Sequence, residues 1–273
     1  MSANKEHIRV EDWVSGLIAQ GRHAFSLDAI RKAFPQHSVI AIKYALKRLV
    51  DKGQIISIHK GYYLIILPQY QSRGILPPSL YLDDFMKELG RPYYMGLLSA
   101  AAFHGAAHQQ PQEFFVATNF PVLRSTQKKG LKINYISKSE IPDKLLDIRK
   151  TESGYLKISN PILTAIDLVQ FSKRVGGVNR VATVLHELLE SIQPASINEH
   201  LLETAPVTVL QRLGYIIEKV LNNAALAEAL YAVLQKGSVE LFRTPLKASA
   251  SVKGFPVDEK WKVIINTTIE TDF

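Results

Sequence analysis

The sequence predicts an α+β chain: an N-terminal winged helix-turn-helix plus a larger mixed α/β C-terminal domain. Three observations carry this. Between Ser26 and Pro68, two short amphipathic helices precede two β-rich runs. Beyond residue 80, strand-like and helix-like stretches are mixed, without a repeat of fixed period. The 273 residues exceed one small winged helix and leave room for a second core.

Val10 to Gln20 has the spacing of a first helix, with Trp13, Leu17 and Ile18 inward and Gly21 as its stop. Ser26 is a good N-cap, and Leu27, Ile30 and Phe34 then share one helical face. Pro35 breaks that helix, because a proline pushes the residue before it out of the α region. Ser38 caps a second helix, whose Ile42, Ala45, Leu46, Leu49 and Val50 form a stripe for burial. Lys52-Gly53 closes it with a cation at the negative end of the helix dipole and a residue free to turn left-handed. Ile55 to Ile66 reads as two strands joined near His59-Lys60-Gly61, the wing.

Opposite the stripe lie Lys43, Tyr44, Lys47 and Arg48. A helix fits the major groove of B-DNA, where base edges present distinguishable donors and acceptors. Lys43 and Lys47, one turn apart, can face the groove or its phosphates. Tyr44 offers a phenol and Arg48 a forked guanidinium. With Ser38 at the helix start and His59-Lys60 at the wing tip, these seven residues are the expected DNA-binding set. The same cations would also suit a plain solvated helix face.

Pro68 to Ser79 is rich in proline and polar residues and reads as a linker that tolerates cutting. The expected division is therefore 1–68 for the winged helix, 69–79 for the linker and 80–273 for the second domain. Ser79 is expected to cap a helix carrying Leu82, Phe85, Met86 and Leu89. Tyr94 to Phe103 is apolar nearly all round, as a buried helix is. Glu113–Thr118, Leu131–Ile136 and Leu156–Ile158 are expected strands. Asn160-Pro161 opens a helix, and Val178–Leu189, Val207–Leu221 and Ala224–Leu234 give three more. Val239–Phe242 and Trp261–Asn266 are the last expected strands. Phe103, Phe115, Leu185 and Ile216 are assigned to the second core.

Charge and composition narrow the function. No apolar run reaches the ~18–20 residues of a membrane span, the first residues are polar, and cysteine is absent. A thiolate zinc site and a disulfide framework are thereby excluded, and a cytoplasmic location without membrane contact is expected. The net charge is +8. Residues 1–68 carry ten Lys+Arg against five Asp+Glu, and residues 121–150 carry eight against three. Two blocks hold the excess. Arg124, Lys128, Lys129 and Lys132 form the second basic patch, which reads equally as a solvated hairpin tip or a nucleic-acid contact.

No catalytic residue, metal site or cofactor is expected. His104 and His108 have the spacing of paired ligands, but no glutamate stands between them and Gly105 interrupts the helix. No nucleophile elbow, P-loop or dinucleotide fingerprint is present.

Several segments resemble the AbiE-type (AbiEi-like) antitoxins of type IV toxin–antitoxin systems. They are Pro92 to Gly105 with the strand Phe114–Thr118, Ile158 to Val169 with its internal Asp167, Leu210-Gln-Arg-Leu-Gly-Tyr215, and Trp261 to Asn266. The resemblance covers nearly the whole chain. It implies a winged helix that binds promoter DNA with inverted repeats and represses the operon. It also implies a C-terminal domain that opposes a nucleotidyltransferase-like toxin without a stable complex. The motif residues have a structural reading as well: Asp167 could cap a helix or pair with Arg212, and Tyr94, Tyr215 and Trp261 suit packing. A toxin of this pair should show Gly-Ser before paired aspartates holding Mg²⁺. Gly237-Ser238 leads into Val239-Glu240 instead, so this chain is not the toxin. The rivals are a ligand-responsive winged-helix transcriptional repressor and a nuclease or transferase built on 80–273.

Overall fold

The structure, a computed structural model, describes residues 9–106 and 113–270. Helix α1 (Val10–Ala19) buries Val10, Val14 and Leu17, with Trp13 edge-on to Phe25 and Phe34. Strand β1 (Ala24–Ser26), absent from the sequence reading, leads into α2 (Leu27–Ala33). Ser26 Oγ accepts from the Ala29 N–H at 3.2 Å, and Ser38 Oγ accepts from the Ala41 N–H at 3.1 Å. Both caps thus satisfy donors that a helix start leaves open. The second opens α3 (Val39–Asp51). Gly53, at φ 68°, turns the chain into β2 (Ile55–His59) and β3 (Tyr62–Ile65). The three strands pair antiparallel in the order β1-β3-β2. Ile42, Ala45, Leu46 and Leu49 close a core with Ile30 and Phe34. Val50 does not join it: it lies about a quarter turn off that stripe and is 41% exposed.

The tract 69–79 departs from an open linker. Turns of 3₁₀ helix at Pro68–Tyr70 and Pro78–Leu80 frame it, and Ile75 and Leu76 are buried. Ser79 lies within the second turn, and α4 (Leu82–Glu88) starts after Tyr81 without a side-chain cap. The apolar run expected to be one helix divides at Gly96 into β4 (Tyr93–Met95) and α5 (Leu97–Phe103). Tyrosines favour strands, and here Tyr93-Tyr94-Met95 pairs antiparallel with Thr118, Ala117 and Val116, Met95 also pairing with Ile158 on the other side.

Strands β5 (Glu113–Asn119), β6 (Thr126–Lys128), β7 (Leu131–Lys138), β8 (Leu146–Thr151) and β9 (Gly154–Ser159) complete a mixed sheet in the order β6-β7-β5-β4-β9-β8. Two of them, β6 and β8, are absent from the sequence reading. Asn160 Oδ1 accepts from the Leu163 N–H at 2.9 Å, opening α6 (Pro161–Gln170). Then come α7 (Val178–Leu188), the short α8 (His200–Thr204), α9 (Val207–Tyr215) with a π-helical turn at Ile216–Val220, and α10 (Ala224–Lys236). The chain ends on a small parallel pair, β10 (Thr244–Pro245) and β11 (Val263–Ile264). Val239–Phe242 is irregular rather than a strand.

Side-chain bonds hold this C-terminal segment in place of the expected ladder. Gln211 Nε2 donates to the carbonyls of Phe242 and Trp261 at 2.8 and 2.7 Å. The Trp261 indole is fully buried, its Nε1 donating to Glu218 at 2.8 Å.

Alternation along the strands splits the sheet between two apolar layers. Phe115, Ala117 and Ile136 pack with residues of α5, α6, α7 and α9. Val116, Ile133, Tyr135 and Ile158 pack with α4, with Ile75 and Leu76, and with Ile58, Tyr62 and Leu64 of the winged helix.

Candidate nucleic-acid interface

Because α3 buries Ile42, Ala45, Leu46 and Leu49, its helical period turns Ile40, Lys43, Tyr44 and Lys47 together to the opposite side. Lys43, Lys47 and Arg48 are exposed, and among the described residues none of the three is in an ion pair. Val39, Ile40 and Tyr44 are 48, 66 and 64% exposed. Three large apolar or aromatic side chains therefore stand in water at the start of this helix, among cations. Val39 and Ile40 are additions to the set expected from the sequence. Ile40 precedes Lys43 and Tyr44 by three and four positions, and that spacing is the signal that points to it.

The wing divides the expected pair. Lys60 is exposed, whereas His59 is half-buried with its ring 5.6 Å from that of Phe85 in α4. Ser38 spends its hydroxyl on the helix cap.

The second basic patch is brought together only in part. Arg124, Lys128 and Lys129 are exposed around the β6–β7 hairpin, where Lys129 takes φ 47° at the turn. Lys132 is compensated: its Nζ lies 3.0 Å from Glu113 Oε1. The Lys129 side chain runs along Gly74, which places the hairpin tip beside Arg73. Arg73, a linker residue in the sequence reading, is the cation that reading leaves out. Lys138, from the same basic block, is buried at 2.9 Å from Asp167. Asp167 therefore pairs with Lys138 and not with Arg212.

The remaining candidates have structural partners. Tyr94 donates to Asp167 Oδ2 at 2.6 Å, and His104 Nε2 is 2.7 Å from the Ser159 carbonyl. His108 lies outside the described residues. Among the described residues, no three His, Asp or Glu side chains gather as metal ligands. None of their helices is long and apolar enough to cross a membrane.

Residues 94–219 match the family model of the AbiEi antitoxin C-terminal domain. That span runs from β4 through the sheet to the π-helical turn after α9. No curated protein matches the chain. Among solved structures, the RV2827C protein from Mycobacterium tuberculosis is similar at a TM-score of 0.65 and 18% identity, over 92% of this chain and 89% of that one. At that identity the likeness is one of fold.

Proposed function

We propose that this chain, which carries an AbiEi antitoxin C-terminal domain over residues 94–219, is the antitoxin of a type IV toxin–antitoxin pair and represses its own promoter. The observation that carries the DNA half is the outward face of α3. Ile40 and Tyr44, exposed on the same side of α3 as Lys43 and Lys47, suit a major groove in which thymine methyls offer apolar contacts and phosphates flank the helix. Lys60 of the wing reaches a neighbouring phosphate. Arg48 flanks the same face, and His59 acts through its packing on Phe85. The promoter carries inverted repeats. The cognate toxin is a nucleotidyltransferase-like enzyme in the cytoplasm, opposed by the C-terminal domain without a lasting complex. Arg124, Lys128 and Lys129, joined by Arg73, supply a second surface for flanking DNA or for the toxin's nucleic-acid substrate.

A promoter shift assay across a salt series tests the reader. Lys43→Ala with Lys47→Ala should weaken binding and lower the log–log salt slope by about 0.9 for each phosphate no longer neutralised. Ile40→Ala should reduce preference for the promoter while leaving the slope intact. Unchanged affinity of the double variant at two salt concentrations would sink the assignment. Rescue of growth in cells expressing the toxin tests the other half.

A further inference from the structure

Away from α3, a pocket of about 400 Å³ opens where α6 gives way to α7. It is lined by Lys173, Arg174, Arg212 and Lys247, and no Asp or Glu lines it. Among the described residues none of these four cations is in an ion pair. Arg212 is the informative one. It is half-buried, its Nε donating to the Pro245 carbonyl at 2.7 Å and its Nη2 to Thr244 Oγ1 at 3.0 Å. Burial lowers its pKa. A guanidinium withdrawn from water onto neutral acceptors lacks the opposite charge that its desolvation calls for.

The start of α7 beside it leaves backbone donors open, although the Gly177 N–H itself donates to the Ser172 carbonyl at 2.8 Å. Gly176 and Gly177 take φ of 98° and 94°, and Gly177 opens the 11-residue α7 without a side-chain cap or an acidic residue in its first turn. Phe171, Val181, Ile216 and Leu246 give the pocket an apolar wall. Concave, partly apolar and edged with unpaired cations, it has the size and character of a small-molecule site, for which about 300–1,000 Å³ is usual. A duplex, convex and rigid, reaches exposed lysines more readily than the half-buried Arg212.

We propose that this pocket binds the phosphate of a small phosphorylated molecule, held by Arg212 from within and by Lys173, Arg174 and Lys247 from the solvent side. Arginine's fork suits two phosphate oxygens at once, and the uncapped helix start offers N–H groups to a third.

The test uses the full chain in calorimetry at constant ionic strength. Inorganic phosphate and adenosine monophosphate are the probes, and chloride is the control. Saturable binding of either probe is expected, with a matching ligand-dependent rise in Tm. Phosphate binding alone identifies the free anion as sufficient, and preference for the nucleotide assigns the apolar wall to its organic part. The triple variant Lys173→Gln, Arg174→Gln, Lys247→Gln alters only side chains at the solvent edge of the pocket. Its Kd should rise about tenfold or more, as removal of a charge-assisted hydrogen bond implies. The variant Lys43→Ala, Lys47→Ala should bind both probes as the native chain does. Absence of saturable binding, equal affinity in the triple variant, or an equal effect of chloride would overturn the proposal. Displacement of phosphate by duplex DNA from the Lys43→Ala, Lys47→Ala protein would reassign the pocket to a nucleic-acid backbone.

Discussion

The Asp167 side chain is only 3% exposed, and that of Lys138 7%. Lys138 Nζ stands 2.9 Å from Oδ1, and the Tyr94 hydroxyl donates to Oδ2 at 2.6 Å. Burial, then the Asp167 charge, hold the Tyr94 hydroxyl well above its ordinary pKa, so it stays a donor. Such a pair contributes little net stability when intact, because desolvation offsets the attraction, but removing one partner strands the other. Lys138→Met should therefore cost about 3–5 kcal/mol by chemical denaturation. Lys138→Met with Asp167→Asn should cost less than the single change, because no buried charge is left over. A single variant that unfolds at the native midpoint would show that Asp167 finds water or another cation. Lys138 also explains why the basic block overstates its surface charge: chain position records the number of cations, while folding decides which of them meet solvent.

At the scale of elements, Gly214 shows how a short motif can be structural. A Cβ added there would overlap the Trp261 ring, so α9 approaches the C-terminal segment as only glycine allows. Gly214→Ala should cost about 1–3 kcal/mol or more through overpacking, read as a lowered Tm, and substitution of Trp261 by Leu in the same chain should recover part of the loss. No change on Gly214→Ala would mean that the two segments separate easily. The same region marks the limit of what is legible in the sequence. Helix starts are readable because Ser26, Ser38 and Asn160 each supply a local acceptor three residues ahead of an open N–H. The outward placement of Lys43, Tyr44 and Lys47 follows from helical period alone. Strands depend on partners distant in sequence. Tyr93–Met95 has a helix-like apolar pattern and becomes a strand only because β5 and β9 lie beside it. The run 239–242 has a strand-like pattern, yet Gln211 takes the Phe242 carbonyl that a neighbouring strand would have used. The convergence of Arg212, Lys173 and Lys247 on one pocket has no local signature, since it arises from three separate segments.

For the whole molecule, the decisive feature is the apolar layer that crosses from the winged helix to the sheet. Ile58, Tyr62, Leu64 and Leu67 meet Ile75, Leu76, Phe85 and Met86, and behind them Val116 and Ile133. The Tyr62 and Phe85 rings lie 5.0 Å apart. Each large side chain that such a layer buries is worth about 1.5–3 kcal/mol relative to exposure. Several of them together outweigh the freedom gained by letting the two parts move. The tract 69–79 is therefore part of the join, even though its Gln71–Arg73 turn is exposed. A protease site inserted between Gln71 and Ser72 should be cut readily, because that turn lies open. The cut chain should nevertheless elute as one species on native gel filtration and retain promoter binding, separating only in denaturant. A fragment made from Ser79 onward lacks the covering residues, so it should bind a hydrophobic dye and unfold at a lower denaturant concentration than the cut but complete protein. Should the cut halves separate in native buffer, the winged helix would be a tethered module, and promoter binding and toxin neutralisation could be inherited by separate fragments. Co-elution would instead place both activities on one body, in which a change at the DNA-reading face is felt across the shared layer.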